Sequence, residues 1–291
     1  MLNLYASPTE IKAAMPTGIQ ATTTTYDSLL LRLASEASRF VDRYCGRVFF
    51  PRLATRYFNA KGKTSLKVGD LLSVTTVSVS NDNGATYTEL VEADFRTTRW
   101  GDHNDPRTWT HLEIDPNSTQ GTWPIGYRAV KVVGVWAYAD DRDTAWENST
   151  DDVLNNPLAA GGVTLNVTDA DGPDALGLTP RFQPGQLLRM GSEFVYGSAV
   201  VASTTNQVTI VRGCNGSVDA AHLLAVQIDI WRPPEPVKQA SIISILRLLE
   251  RGLQGFGDSR ANAELGTMIY LRALDPEARA LLDPYVIREA G

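Results

Sequence analysis

The segment DSLLLRLASEASRFVDRYCGRVFFP, Asp27 to Pro51, sets how the rest of the chain is read. Leu30, Leu33, Ala34, Ala37, Phe40, Val41 and Tyr44 recur at i, i+3, i+4 and i+7, one apolar stripe on an α-helix of about five turns. Arg32, Ser35, Glu36, Arg39, Asp42 and Arg43 fill the opposite face. Asp27 or Ser28 can cap the start, and Gly46 can take the left-handed conformation past the end. Between Gly46 and Pro51 the helix cannot continue, so the chain turns and becomes extended. A helix with such a stripe needs a second apolar face to pack on.

That face is offered about two hundred residues later. In PVKQASIISILRLLERGLQ the apolar set is Val237, Ala240, Ile242, Ile243, Ile245, Leu246, Leu248, Leu249 and Leu253, leaving only a narrow polar stripe. A helix apolar around most of its girth sits centrally among others. The two helices are expected to pack together. Two short helices join them: one from Pro8 to Met15, capped by Ser7 with Glu10 at its third position and ended by Pro16 and Gly18, and one beginning at Asp275 and Pro276 and broken at Pro284.

Between these ends the period changes to two. ATRYFNAKGKTSLKV, LLSVTTVSVSNDNGATYTEL, ADFRTTR, HLEID and WPIGYRAVKVVGVWAYAD read as roughly five antiparallel strands, with a turn at Asn81 to Gly84. Asp140 to Pro157 is polar, has no period and reads as a linker. A second β-unit follows through VTLNVTDA, GQLLRMGSEFVYGSAVV, NQVTIVRGCNGS and LAVQIDIWRP. The expected class is therefore α+β: a helical bundle formed by N- and C-terminal helices, an antiparallel β-region, and an inserted small all-β domain of barrel or sandwich type. The expected segments are residues 1–150, 151–232 and 233–291.

The chain has 291 residues, 43% of them hydrophobic and 21% charged, which suits a packed core. A net charge of −6 argues against a protein built chiefly to grip nucleic acid, though not against one that lets DNA slide past an acidic wall. The sparse cysteines, Cys45 and Cys214, suit a reducing compartment. No secretory signal and no membrane-spanning apolar run are read.

Sites with chemical potential are few. His103 in WGDHNDP is flanked by Asp102 and Asp105, but no second histidine stands at ligand spacing, so a solvated loop is the expectation. Asp169 to Gly177, DADGPDALG, has its glycine at the fourth position rather than the sixth of a calcium loop. Arg212 to Ser217, RGCNGS, lacks the lysine and the helix of a phosphate loop. Asp140, Asp141, Asp151 and Asp152 read as solvating carboxylates. No catalytic residue, metal or cofactor is expected. Arg39, Arg43 and Arg47 are candidates for a basic strip facing DNA or a partner, with ion pairing to Glu36 and Asp42 as the simpler account.

The ordered combination of YASPTEIKAAM, YDSLLLRLASEASRFVDRYCGRVFFP, TRYFNAKGKTSLKVGDLLSVTTVSV and VKVVGVWAY resembles the head–tail connector, or adaptor, proteins of long-tailed bacteriophages. PVKQASIISILRLLERG and LDPEARALLDPYV resemble the end of the same family. The middle of the chain looks like a small β-module that recurs in phage virion proteins. The resemblance implies a structural protein made in the bacterial cytoplasm and located in the virion neck. It implies a ring, commonly dodecameric, beneath the portal, which extends the DNA channel and offers a platform to a stopper or tail protein. Its partners are then the portal, the stopper or tail-completion protein, further copies of itself, and passing double-stranded DNA bound without sequence preference; no membrane is involved. By the family's habit, Asp283, Pro284, Tyr285, Val286, Ile287, Arg288 and Glu289 are expected at the portal contact. The alternative from a different class is a carbohydrate- or surface-binding virion module, with Phe182, Phe194, Tyr196 and Trp231 of the insertion displayed outward.

Overall fold

A computed structural model describes residues 3–15, 24–202, 205–253, 259–262, 267–270 and 275–287. The described helices are α1 (Pro8–Ala13), α2 (Asp27–Cys45), α3 (Glu235–Leu253) and α4 (Pro276–Leu282). The strands are β1 (Arg52–Ala60), β2 (Ser65–Val79), β3 (Thr88–Glu89), β4 (Phe95–Thr98), β5 (Trp109–Ile114), β6 (Gly126–Trp136) and β7 (Trp146–Asp152). They continue as β8 (Thr164–Asn166), β9 (Leu187–Met190), β10 (Glu193–Val201), β11 (Gln207–Val211), β12 (Gln227–Trp231), β13 (Ser259–Asn262) and β14 (Thr267–Tyr270).

The helical-bundle expectation is overturned. Two six-stranded antiparallel sheets carry most of the described structure, and β13 and β14 add a two-stranded one. Of the helices, α1 and α4 have only six and seven residues, too few turns to build a bundle. The reason is that side-chain alternation runs through most of the chain from Arg52 to Trp231. Each alternating run needs a neighbouring strand to satisfy its backbone and a buried face for every second residue.

The chain divides into two compact units. One comprises Val48–Trp146 together with Gly213–Val218; the other comprises Met1–Arg47, Glu147–Arg212 and Asp219–Gly291.

In the first unit the strand order is β1-β6-β2-β5-β4, with β3 on β2. On β6, Val130, Val132, Gly134 and Trp136 point inward at every second position. Val130, Val132 and Trp136 meet Leu71, Val77, Leu112 and Trp123 in one buried cluster. Burying side chains of this size contributes about 1.5–3 kcal/mol each. Two glycines are fixed by close approach. A Cβ on Gly134 would sit 2.3 Å from the Ser73 carbonyl oxygen, where β6 crosses β2. A Cβ on Gly216 would sit 2.2 Å from the Leu53 carbonyl oxygen, and Asn215 Nδ2 donates to the Pro51 carbonyl at 2.9 Å. The turn 213–218 therefore lies along the outer edge of β1.

In the second unit the order is β7-β12-β9-β10-β11-β8. Its core gathers Leu165, Phe182, Leu188, Met190, Val195, Val208, Ile210, Ile228 and Ile230. β7 lies in the stretch read as a linker. Its inward positions are Glu147, Ser149 and Asp151, so it alternates without apolar residues. The helices of this unit share a separate cluster: Leu4 and Ile11, then Leu30, Ala34 and Ala37 of α2, with Ile242, Ile245 and Leu249 of α3. The two long helices do pack together. Ser7 and Glu10 form the reciprocal cap on α1, and Gly46 ends α2 at φ 66°. No side chain caps α2: Tyr26 occupies that position, and Asp27 instead pairs with Lys12. Pro16 and Gly18 lie outside the described residues.

Candidate functional site

The expected partner-facing residues fall in two neighbouring places on α2. At its C-terminal end, the helix receives the segment 283–287. Tyr44 Oη donates to Asp283, and the Ile287 amide donates to the Cys45 carbonyl at 2.9 Å. The hydrogen bond to the Asp283 carboxylate pushes the Tyr44 phenol above its ordinary value. Tyr285 is buried and Val286 half-buried, whereas Pro284 is exposed and Ile287 is 43% exposed. The segment is thus pinned by one aromatic ring and presents two apolar side chains outward. Arg288 and Glu289 lie outside the described residues.

Along α2, Arg39 and Arg43 stand one turn apart. They line a cleft of about 640 Å³ with Phe40, Arg247 and Leu248 of the two long helices, and with Asp275 at the cap of α4. Arg39 Nε lies 3.0 Å from Asp42, and Arg39 Nη2 donates to the Asn3 carbonyl at 3.0 Å. Arg247 pairs with Asp275. Arg43 is exposed and makes no ion pair among the described residues. Burial raises the Asp42 carboxyl, against the lowering pull of Tyr5 and Arg39. Arg47 is half-buried and does not line the cleft. The ion pair to Asp42 was foreseeable from i,i+3 spacing; Arg247 was not, because nothing in sequence sets the rotation of α3 against α2.

Cys45 closes this end of α2, with Sγ 4.0 Å from the Leu282 carbonyl oxygen. Burial pushes its thiol up to about 12. A thiol raised above its ordinary value of about 8.5 stabilises the fold below that pH, and the contribution is lost as pH climbs toward the folded value. At about pH 8, iodoacetamide should modify Cys45 on the order of 10³-fold more slowly in the native protein than in denaturant. Peptide mass spectrometry resolves Cys45 from Cys214, and equal rates in both states would show that the α2–α4 contact is open in solution.

Neither unit gathers a reaction centre from the other sequence candidates. His103 Nδ1 lies 3.1 Å from the Thr97 carbonyl oxygen, and Asp102 accepts from the Asn104 amide. Asp105 is engaged by Arg107, which holds its carboxyl down to about 2. Among the described residues, no three His, Cys, Asp or Glu side chains converge as a metal site would require. The loop that resembles a calcium site is organised by an arginine instead. Arg181 reaches the Asp169 and Pro173 carbonyls at 2.9 and 2.8 Å, and pairs with buried Asp151 at 2.7 Å. Arg212 of RGCNGS likewise holds Glu193 and Asp219. Asp140 has an exposed side chain, whereas Asp151 is buried.

No protein-family model, curated protein or solved structure matches the chain. No described helix is long and apolar enough to cross a membrane. Phe182, Phe194, Tyr196 and Trp231 are all buried, so these four do not provide the outward aromatic display that a carbohydrate-binding reading requires.

Proposed function

We propose that this protein is a structural virion component, a head–tail connector that assembles as a ring under the capsid portal. It extends the DNA channel and gives a stopper or tail protein its docking platform. The observation that supports this reading is that the long helices near the two ends of the chain, part of the stretches that carry the resemblance and about two hundred residues apart, share one unit. Leu30, Ala34 and Ala37 are buried against Ile242, Ile245 and Leu249. A platform of this kind holds the segment 283–287 at a fixed place, with Pro284 and Ile287 outward.

The work of such a protein is assembly rather than catalysis. Each copy meets the next through two different surfaces, and the contact closes by rotation into a ring. The segment from Asp283 onward is the proposed portal contact, and Arg39 and Arg43 face a partner along α2. Electron microscopy of the purified protein mixed with the portal of its own phage tests the reading. A ring seated coaxially on the portal is expected, and Ile287→Asp should abolish it while leaving the fold intact by circular dichroism. A protein that never binds portal at any ratio overturns the proposal.

A further inference from the structure

One end of the first unit carries cations that form no ion pair among the described residues. Elsewhere in this unit Arg96, Arg99, Arg107 and Arg142 each meet an aspartate. Lys61, Lys63, Arg128 and Lys131 have no ion pair among the described residues. The turn that holds Lys61 and Lys63 abuts the start of β6: a Cβ on Gly62 would lie 3.0 Å from Ile125. The nearest turn, Ser80 to Tyr87, does bear a carboxylate, Asp82. It accepts from Ser80, Ala85 and Thr86 of its own loop, which hold it in place, and forms no ion pair with these cations.

Two of these cations, Arg128 and Lys131, are fixed in place by aromatic rings, not by anions. The Arg128 guanidinium lies 3.8 Å over the Tyr57 ring, and Lys131 lies 4.9 Å over Tyr87. Tyr57 and Tyr87 are themselves in contact, with centroids 5.9 Å apart. The backbone of Arg128 is held too. Its amide donates to Asn59 at 2.8 Å and its carbonyl accepts from Tyr87 Oη at 2.9 Å, at a φ of 48°. Stacking on a ring orients a cation and leaves its charge available. Beside this ladder, Tyr127 is 63% and Ile125 80% exposed, and Tyr57, Phe58, Asn59, Tyr127 and Arg128 line an open hollow of about 590 Å³.

We infer that this surface binds the phosphodiester backbone of a nucleic acid. The cations meet its evenly spaced charges, and Tyr127 lies beside them as a flat apolar face for sugar or base. An acidic chain needs such a patch to be local, since its overall charge repels phosphate. The inference deepens the connector reading by naming where DNA would touch, and it rests on that reading only for duplex DNA as the physiological ligand.

The test is fluorescence anisotropy of the full chain with a short labelled duplex and with one of its strands, between about 50 and 200 mM salt. Four released counterions give a log–log slope near −3.6, a loss of about 100-fold across that range. The double substitution Arg128→Gln and Lys131→Gln should flatten the slope by about 2, as should Lys61→Gln with Lys63→Gln. The second pair lies on exposed side chains and keeps the test valid if the first disturbs the fold. Tighter binding of the single strand that is lost in Tyr127→Ala would add stacking to the backbone contact; equal or tighter binding of the duplex would leave backbone contact alone. No measurable binding, or a slope unchanged in both double variants, overturns the inference. So does poly-glutamate binding that equals DNA binding and depends on the same lysines and arginine, which would assign the patch to an acidic protein segment. Binding of DNA by a protein that never rings on portal would sink the connector reading alone. Rings on portal with no patch-dependent DNA binding would sink this inference alone.

Discussion

Replacing Glu193 by Ala should lower the melting temperature by about 10 °C, the equivalent of about 3–5 kcal/mol. Glu193 has a fully buried side chain. Arg212 Nε and Nη2 donate to its two oxygens at 2.8 and 2.7 Å, the two-pronged geometry that favours arginine over lysine. His222 Nε2 lies 2.8 Å from Oε2, and the Ala220 amide donates to the same oxygen at 3.2 Å. Removing the carboxylate takes from the Arg212 guanidinium, only 5% exposed, its two-pronged partner and leaves it the partly exposed Asp219. A buried charge left with one weaker partner, together with the unpaired His222 and Ala220 donors, supplies most of the cost. Glu193→Gln keeps the shape and part of the hydrogen bonding, so its loss should be smaller. Calorimetry on the two variants checks this, and a shift of under a degree for Glu193→Ala would show that water reaches the site.

Trp136→Ala should destabilise the other unit by a similar amount, about 3–5 kcal/mol. The Trp136 ring is 2% exposed at the end of β6. Its Nε1 donates to the Ala54 carbonyl at 2.9 Å, and Arg56 stacks on it at 4.0 Å. Truncation leaves a large void next to Leu71 and Phe58, an unpaired carbonyl on β1, and an arginine without its ring. Trp136→Phe retains most of the volume but not the donor, so it isolates the hydrogen bond, at about 1 kcal/mol. Hydrogen exchange should show the loss of protection centred on β1 and β6, which pair from Arg52↔Trp136 to Ala60↔Gly126. Protection lost evenly over the whole chain would contradict this placement.

Much of the local structure was legible from residue types. The cap at Ser7 and Glu10, the left-handed Gly46, the start of α4 at Asp275 and the meeting of α2 with α3 follow from spacing and backbone chemistry. The class was not legible, because two long helices carry the strongest local periodicity while the alternating runs hold far more of the chain. β7 shows the physical reason most plainly. Glu147 and Asp151 are buried because Arg232 and Arg181 reach them from distant positions. A strand whose inward residues are charged has no hydrophobic period, so it reads as a linker until its partners are known.

The candidate surfaces divide in the same way. Sequence alone determined that the segment around Tyr285 is apolar and follows a helix end, and that Arg39 and Arg43 share a face of α2. Only the tertiary structure decided that Tyr285 turns inward while Pro284 and Ile287 do not, and that Arg247 joins the α2 arginines at one cleft. It alone brought Lys61 and Lys63 to the strand that carries Arg128 and Lys131, over sixty residues away in the chain. Residue spacing fixes which side chains share a face of one element, because that depends only on backbone geometry. Which faces then meet, and which charges find a partner, depends on strand order and register. Those are set by the burial of the whole chain rather than by any one stretch of it.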